Sequence, residues 1–560
     1  MPFIMANEIF EKVASTGLLA NMINYLTKDY HMNAAKGGTV LFLWSALSNF
    51  LPIFGASLSD SYLGRFQVIT LGSFVSLAGM ILLWLTAMMA RERPPYCVPS
   101  KIQACEGPKS RQIALLFSAF ALMSIGAGGI RPCSLAFGAD QLDPKRERLL
   151  QSFFNWYYAS VGVSIMVAVT VIVYMQDSLG WKVGFGVPTL LMLISAVLFL
   201  LGSSLYVKVG PNRSFFTGFA QVIAASIKNR RLTFPPNDVD GWYHRKKGSN
   251  IAAPSKKLRF LNKACLIRNP ESDLDPDGSA TDPWNLCTVE QVEEFKAIVK
   301  VIPIWSTGIV FAVTISQHSF PVLQANTMDR HIGPDFQIPA GSFSVFGILT
   351  LTIWVALYDR LIAPRLARLS GRARGLSFMQ RMGAGLLVSC AATAVAAMVE
   401  SARRTASIKH GLENVPGAVV DMSAMWLVPQ HCLMGLAEAL NVIGQIEFYY
   451  SEFPKSMSSV GVALFTLGLG VGNLLGALVV GVVDEVSRRG GGEGWVPTNL
   501  NRGHYDYYYW VLTLMSSVNF LYFIVCSWCY GSEGGGGGGG DQVEEEWVSP
   551  LRSPELSMIH

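Results

Sequence analysis

Twelve apolar runs dominate the sequence and leave little choice of fold. Each run is close to the ~20 residues that a helix needs to cross the hydrocarbon core of a bilayer. The first six cover roughly residues 6–27, 38–60, 66–90, 112–133, 153–175 and 183–206. The second six cover roughly residues 297–325, 340–358, 377–400, 423–448, 460–484 and 507–530. The pattern predicts an all-α integral membrane protein with twelve transmembrane helices in two six-helix bundles.

The composition agrees with a membrane protein. Of the 560 residues, 51% are hydrophobic and only 15% are charged, whereas a soluble domain usually carries about 25% charged residues. The mean hydropathy is +0.35. The net charge of +5 is small for this length, so nothing favours a nucleic-acid partner, and the lipid bilayer is the expected surrounding.

Two groups of six helices around a polar connector are typical of two related bundles that enclose a central site. We therefore divide the chain into a first bundle, a linker, a second bundle and a tail rich in glycine, predicted to be disordered. These units are residues 1–206, 207–295, 296–530 and 531–560. An amphipathic helix predicted at 215–231 begins the linker and can lie along a membrane interface or the flank of a bundle.

The loops indicate an orientation. Loops on the linker's side are slightly denser in Lys and Arg than the opposite loops, which places the linker and both termini in the cytoplasm by the positive-inside rule.

Cys97 and Cys105 share the loop after the third run. If that loop is extracellular, a disulfide between them is permitted. A disulfide and two free thiols are both open alternatives.

The first apolar helix carries three charges on one face. Glu8, Glu11 and Lys12 have the helical spacing that brings side chains together. Charges inside a membrane are costly, and they usually face a cavity and mark ion or proton pathways. The alternative is that Lys12 merely neutralises one carboxylate at a helix end.

Five motifs occur in order along the chain, at residues 8–12, 54–65, 153–158, 380–383 and 447–454. Together they resemble the plant nitrate/peptide transporter family, the plant branch of the proton-dependent oligopeptide transporters within the major facilitator superfamily. Residues 129–133 look most like its first plant subfamily. The resemblance extends over nearly all of residues 2–530. It implies the major facilitator fold and a transporter that works by alternating access, and not an enzyme.

The resemblance and the chemistry of the side chains together assign the proton sites. Arginine stays charged at all relevant pH values, whereas a carboxylate in a poorly solvated cavity takes up a proton more readily. Glu8 and Glu11 are therefore the candidates for proton uptake, and Lys12 modulates them. We expect the proton as coupling ion, no cofactor and no metal site.

Four further charges are candidates for gating. The resemblance implies that Arg131 and Glu438, which belong to opposite halves, pair across the cavity and contact substrate. The alternative is that each of these two charges is paired within its own half of the chain. Asp60 and Arg65 flank a tight turn between two helices, where a charge pair can act as a latch. The alternative is that Arg65 only sets the orientation of the neighbouring helices in the membrane.

The substrate is expected to be an anion held by Arg131. Some nitrate-transporting relatives carry a substrate-binding histidine on the seventh helix, but that position here is Ile315. His318 lies three residues later on a neighbouring face and does not inherit the role. Tyr157 belongs to an aromatic cluster that either lines the cavity or anchors the helix at the interface. Residues 162–164 depart from the family's fifth-helix signature, which argues against peptides.

The sequence therefore predicts a proton-coupled importer of nitrate or a small organic anion, in the plasma membrane. Carboxylate hormones such as gibberellins, di- and tripeptides, and a receptor-transporter that senses a nutrient are the alternatives. A passive anion channel fits the two-by-six pattern less well. The expected partners are the anion, protons and lipid. A regulatory kinase and a homo-oligomer stay open.

Overall fold

The computed structural model describes most of the chain. The described residues are 2–95, 107–143, 146–208, 210, 215–234, 242–245, 254–276, 278–370, 375–415, 417–454, 457–489 and 494–534. Cys97 and Cys105 lie outside these ranges, so their pairing stays open. The predicted disordered tail also lies outside them, apart from residues 531–534 at the end of the last helix.

Six long helices make up the first bundle. They are α1 (Pro2–Asn24), α2 (Ala34–Leu58), α3 (Arg65–Met88), α4 (Ser110–Asp140), α5 (Glu147–Val167) and α6 (Trp181–Leu201). Three of them continue into π-helical turns, at Tyr25–Asp29, Ser59–Leu63 and Ala168–Ile172. After its π turn, α5 resumes as Val173–Ser178. Such turns are rare and are often found at functional sites.

The chain between the bundles contains a small core of its own, which we call the linker core. Helix α7 (Phe215–Lys228) packs on a 3₁₀ segment at Arg259–Cys265. Val222 and Cys265 are fully buried there, together with Val289 from the start of the next helix. Burial raises the pKa of the Cys265 thiol to about 12, so this thiol is uncharged.

Seven helices follow. They are α8 (Val289–Ile315), α9 (Ser319–Asn326), α10 (Val345–Leu357), α11 (Phe378–Lys409), α12 (Val428–Glu452), α13 (Ser458–Arg488) and α14 (Tyr505–Gly534). Helices α8 and α9 are two parts of one apolar segment, Val289–Asn326. Helix α10 continues through a π turn at Tyr358–Ile362 into Ala363–Ser370.

Short strands occur between the spanning helices of the second bundle. They are β1 (Met328–Asp329), β2 (His331–Ile332), β3 (Phe336–Gln337) and β4 (Val420–Ser423). Strand β1 pairs with β4 in parallel, and β2 pairs with β3 antiparallel. Further 3₁₀ segments lie at Ala90–Glu92, Gly202–Leu205, Ala340–Ser344 and Ala424–Leu427, and a short α-helix lies at Pro270–Asp273. The strands are too short to change the all-α character of the fold.

Ten helical segments of the described residues are long and apolar enough to cross a membrane. The two other long helices of the bundles, α1 and α12, carry charges instead. Glu8, Glu11 and Lys12 lie on α1, and Glu438 and Glu447 lie on α12. With these two helices, and with α8 and α9 taken as one, each bundle contains six spanning helices. The predicted fold class is confirmed.

Close helix packing holds the first bundle together. Helices α2 and α3 both cross α4 at glycines, where a side chain would collide with the opposing backbone. A Cβ atom on Gly72 would lie 2.8 Å from the carbonyl oxygen of Gly126. Small residues allow membrane helices to approach this closely. The three helices therefore form one rigid unit that carries Arg131.

Candidate functional site

A cluster of charges lies inside the first bundle, on α1 and α4. The Nη2 atom of Arg131 lies 3.5 Å from Oε1 of Glu11 and 3.2 Å from Oγ of Ser15. The Glu11 side chain is fully buried, whereas that of Arg131 is 30% exposed. The structure therefore brings one proton candidate and the predicted anion-binding cation into direct contact.

Glu8 completes this cluster. Its side chain is buried, and Lys12, Ser134 and Tyr157 are its polar neighbours. Oε2 of Glu8 and Oε2 of Glu11 have no hydrogen-bond partner among the described residues. Burying a polar oxygen without a hydrogen bond costs free energy, so the described residues leave each carboxylate only partly satisfied in this conformation.

Tyr157 and its neighbours on α5 divide between the bundle interior and the surface. Tyr157 is buried beside Glu8, whereas Trp156 and Tyr158 are 69% and 62% exposed. The polar surroundings of Glu8 therefore include the phenol of Tyr157. This placement is compatible with the predicted substrate contact, which stays a prediction.

A cavity of about 390 Å³ lies between the two bundles. Most of its lining is apolar or small, and Ile315 is part of it, as are Thr16 and Ala20 from α1. Its larger polar side chains come from the second bundle: Gln317, His318, Gln430, His431, Glu438 and Tyr509. The wall that the second bundle contributes to the cavity therefore has few fixed charges.

The break between α8 and α9 lies in this wall. Residues Ser316, Gln317 and His318 separate the two helices, and Gln317 and His318 line the cavity. In transporters, discontinuous helices commonly form the substrate site because their free ends face the ligand. On α12, His431 and Glu438 are two turns apart on the same face, and both line the cavity.

Sequence reasoning missed most of this wall. His318 and His431 lie close enough to interact electrostatically, and Nε2 of His431 is buried without a hydrogen-bond partner among the described residues. The only signal in the sequence was the spacing of His431 and Glu438, which lies within a helix. Nothing local indicated that His318, from another helix, would lie close to His431.

The cavity is closed at one end. We call this the far end, because it is opposite the linker end, where α6 and α8 meet the linker. Nδ2 of Asn326 donates to Oδ1 of Asn24 at 2.6 Å, and Nη1 of Arg330 lies 3.4 Å from Oδ2 of Asp177. Both contacts join the first bundle to the second. The structure therefore represents a carrier whose far side is shut.

Arg131 and Glu438 do not pair in this structure. Arg131 contacts Glu11 within its own bundle, and the described residues show no ion pair of Glu438 within 4 Å. Helical rise of ~1.5 Å per residue places Arg131 about 14 Å and Glu438 about 21 Å from the linker end of their helices. The predicted cross-bundle pair therefore needs a different conformation, and it stays a prediction for that state.

Asp60 and Arg65 do meet, within the first bundle. Nε of Arg65 lies 3.5 Å from Oδ1 of Asp60, and its Nη1 lies 2.6 Å from Oδ2 of Asp140 at the end of α4. Arg65 thus ties the turn between α2 and α3 to α4. In the second bundle, Arg381 and Glu447 form a 2.7 Å ion pair that joins two of the sequence motifs.

No metal site is evident in the described part of the chain, where no three His, Cys, Asp or Glu side chains are arranged to hold an ion. A model of the POT family matches residues 66–496. The chain belongs to the POT family.

Relatives place the chain within the plant branch of that family. It is 57% identical to Protein NRT1/PTR FAMILY 1.2 of Arabidopsis thaliana, over 99% of this chain and 92% of the relative. It is 54% identical to Protein NRT1/PTR FAMILY 1.1 of the same plant, over 100% and 95%. The predicted family and its first plant subfamily are confirmed.

Solved POT structures share the fold. The structure matches a crystal structure of the POT family transporter PepTSo with a TM-score of 0.69 and 18% identity, over 95% of this chain and 98% of that one. It matches a POT family transporter in complex with 5-aminolevulinic acid with a TM-score of 0.62 and 14% identity, over 94% and 96%. Family and neighbours are membrane transporters, so this POT chain is a multi-pass transporter and not an enzyme.

Proposed function

We propose that this chain is a proton-coupled secondary transporter that takes up a small organic anion by alternating access. The observation that carries the proposal is the contact of Arg131 with Glu11 inside the first bundle. While Glu11 is charged, it competes with an anionic substrate for the Arg131 guanidinium. A proton on Glu11 removes that competition, so proton binding and anion binding favour each other.

The cavity favours an organic anion over nitrate. Its volume of about 390 Å³ falls in the ~300–1,000 Å³ range of pockets that bind drug-sized molecules. Nitrate would leave most of it empty, whereas the apolar body of a larger carboxylate can lie against Ile315 and the other apolar lining residues. Carboxylate hormones belong to this class.

Nitrate is the second candidate. The specific observation in its favour is the planar guanidinium of Arg131, which is partly exposed and matches two oxygens of a planar anion. Peptides are less favoured because residues 162–164 depart from the family's fifth-helix signature. Glu438, in the cavity lining, is the carboxylate that a peptide amine would need.

The test is uptake by the full chain expressed in oocytes, at about pH 5.5 and about pH 7.5, a range in which buried carboxylates and histidines can titrate. Labelled nitrate, a labelled gibberellin, a small labelled carboxylate and a labelled dipeptide form the panel. Acid-stimulated uptake of a carboxylate supports the proposal. Uptake of the dipeptide alone would contradict it. Binding without uptake would identify a receptor.

We also propose that the linker end faces the cytoplasm and that the chain resides in the plasma membrane. The density of basic residues in the linker-side loops supports this orientation. The proposal keeps the division of the chain at 1–206, 207–295, 296–530 and 531–560, and the proton as coupling ion without a cofactor. Membrane-impermeant labelling of single cysteines placed in opposite loops of intact cells tests the orientation.

A further inference from the structure

A second cavity lies outside the transport path, between α7 of the linker core and the start of α8. We call it the α7–α8 groove, and its volume is about 430 Å³. Its apolar lining comes from both helices and from the 3₁₀ segment of the linker core: Ile223, Ile227, Phe260, Leu261, Phe295 and Val299. The bundles and their charged cluster do not use this groove.

The apolar side chains of the groove are unusually accessible. Ile223, Ile227 and Phe260 are 43%, 59% and 61% exposed. The opposite face of α7 is packed against protein, because Val222 and Ala225 are fully buried in the linker core. Helix α7 therefore has two apolar faces, of which one packs on protein and one is open. Open apolar surface of this kind usually marks a binding site.

The groove continues onto the membrane-spanning part of α8. Phe295 and Val299 line it and lie one turn apart on one face. Ile302, the next residue along that face, is 44% exposed within the apolar segment Val289–Asn326. The apolar surface thus runs without interruption from the groove toward the hydrocarbon of the bilayer. An acyl chain can follow this path, whereas a polar peptide would have to enter the membrane.

Two cations line the other side of the groove. Arg230 is exposed, and Nζ of Lys263 donates to the backbone oxygen of Arg230 at 2.7 Å. This hydrogen bond fixes the end of the helical segment beside Lys263 and leaves its ammonium group further donors. The described residues that line the groove include no acidic side chain. Lys228 and Arg259 add positive charge nearby.

We propose that the α7–α8 groove binds an anionic phospholipid of the linker-side leaflet. The phosphate lies at Arg230 and Lys263, and an acyl chain lies between Ile227, Phe260 and Val299 and continues along α8. Arginine suits the phosphate because its guanidinium donates two parallel hydrogen bonds. The lipid then joins the linker core to the second bundle at the surface of the membrane.

The experiment titrates the purified full chain in detergent with palmitoyl-oleoyl phosphatidylglycerol and counts bound lipids by native mass spectrometry. Phosphatidylcholine with the same chains is the neutral competitor, and inorganic phosphate tests for a free-anion site. We expect one phosphatidylglycerol to bind in excess phosphatidylcholine. Displacement by inorganic phosphate at comparable concentration would overturn the assignment to a lipid.

Matched variants test the geometry. Arg230→Gln should weaken phosphatidylglycerol binding about fivefold, the change expected from losing one cation near a membrane surface. Arg231→Gln removes the same charge from the next residue, outside the groove lining, and should leave binding close to wild type. Equal losses in both variants would mean that only net charge matters, which would overturn the proposal.

The acyl-chain contact has its own pair of variants. Ile227→Asn should weaken binding of the lipid, whereas Ile332→Asn changes an equally exposed isoleucine at the far end and should not. Unchanged binding in Ile227→Asn would remove the acyl chain from the groove. Thermal unfolding of each variant without added lipid confirms that the binding comparison is made between folded proteins.

Discussion

Replacing Glu11 by glutamine should uncouple transport from protons. The amide keeps the shape of the side chain but removes the charge that holds Arg131 at 3.5 Å. The variant therefore resembles a permanently protonated Glu11. We expect it to bind the anion at neutral pH as well as the wild type does in acid, and to lose acid-stimulated uptake.

The geometry sets the size of the effect. Two unit charges about 3.5 Å apart in an effective dielectric of about 20 attract by about 5 kcal/mol. Arg131 is 30% exposed, so solvent screens much of this attraction, and about 1–2 kcal/mol is a realistic net value. That corresponds to an affinity change of about 5- to 30-fold. Because the proton removes the competing carboxylate, affinity in the wild type rises as pH falls.

The assay is the KM for uptake of the preferred anion at about pH 5.5 and about pH 7.5, the two conditions of the uptake panel. Surface expression is measured on a tagged protein. Glu485→Gln is the matched control, because Glu485 also pairs with an arginine, Arg489, but at an exposed site on α13. Acid stimulation that persists in Glu11→Gln while Glu485→Gln behaves as wild type would refute the role of Glu11.

Three further outcomes follow from the same contacts. Arg131→Ala should lose uptake of every anionic substrate and Arg131→Lys should keep part of it, because lysine preserves the charge but not the planar geometry; normal uptake by a folded alanine variant would disprove the role. Combining Arg131→Glu with Glu438→Arg should restore closure of the linker end more than either change alone, and cysteine accessibility measures that closure. Identical accessibility in the double variant and both single variants would exclude the pair. Arg403→Met should lower the free energy of unfolding by about 3–5 kcal/mol, because it leaves the fully buried Glu400 without its partner; an unchanged melting temperature in detergent would contradict this.

Hydropathy predicted the spanning helices well because it detects segments that lie in the hydrocarbon of the bilayer. For the same reason it missed helix ends that extend beyond the bilayer. The seventh apolar run was expected to begin near residue 297, but α8 begins at Val289. Thr288 caps the helix by accepting a hydrogen bond from the backbone of Gln291. Val289 and Val292 are buried in the linker core. This first part of α8 is stabilised by protein contacts, so its residues need not be apolar throughout.

The site was predictable where it depends on one helix and unpredictable where it depends on several. The shared face of Glu8 and Glu11 follows from helical spacing. The contact of Arg131 with Glu11 does not, because α1 and α4 meet only in the folded bundle. Likewise, the break at residues 316–318 contains no glycine or proline, and its one local signal is Pro321 in the first turn of α9.

Two carboxylates in one buried cluster have an electrical consequence. If Glu8 and Glu11 each carry one proton with a monovalent anion, every cycle moves one net positive charge, and the membrane voltage contributes about 2.3 kcal/mol per 100 mV to uptake. If only Glu11 is loaded, the cycle is electrically silent. The ratio of membrane current to anion flux therefore gives the number of protons that this buried pair of side chains carries in each cycle.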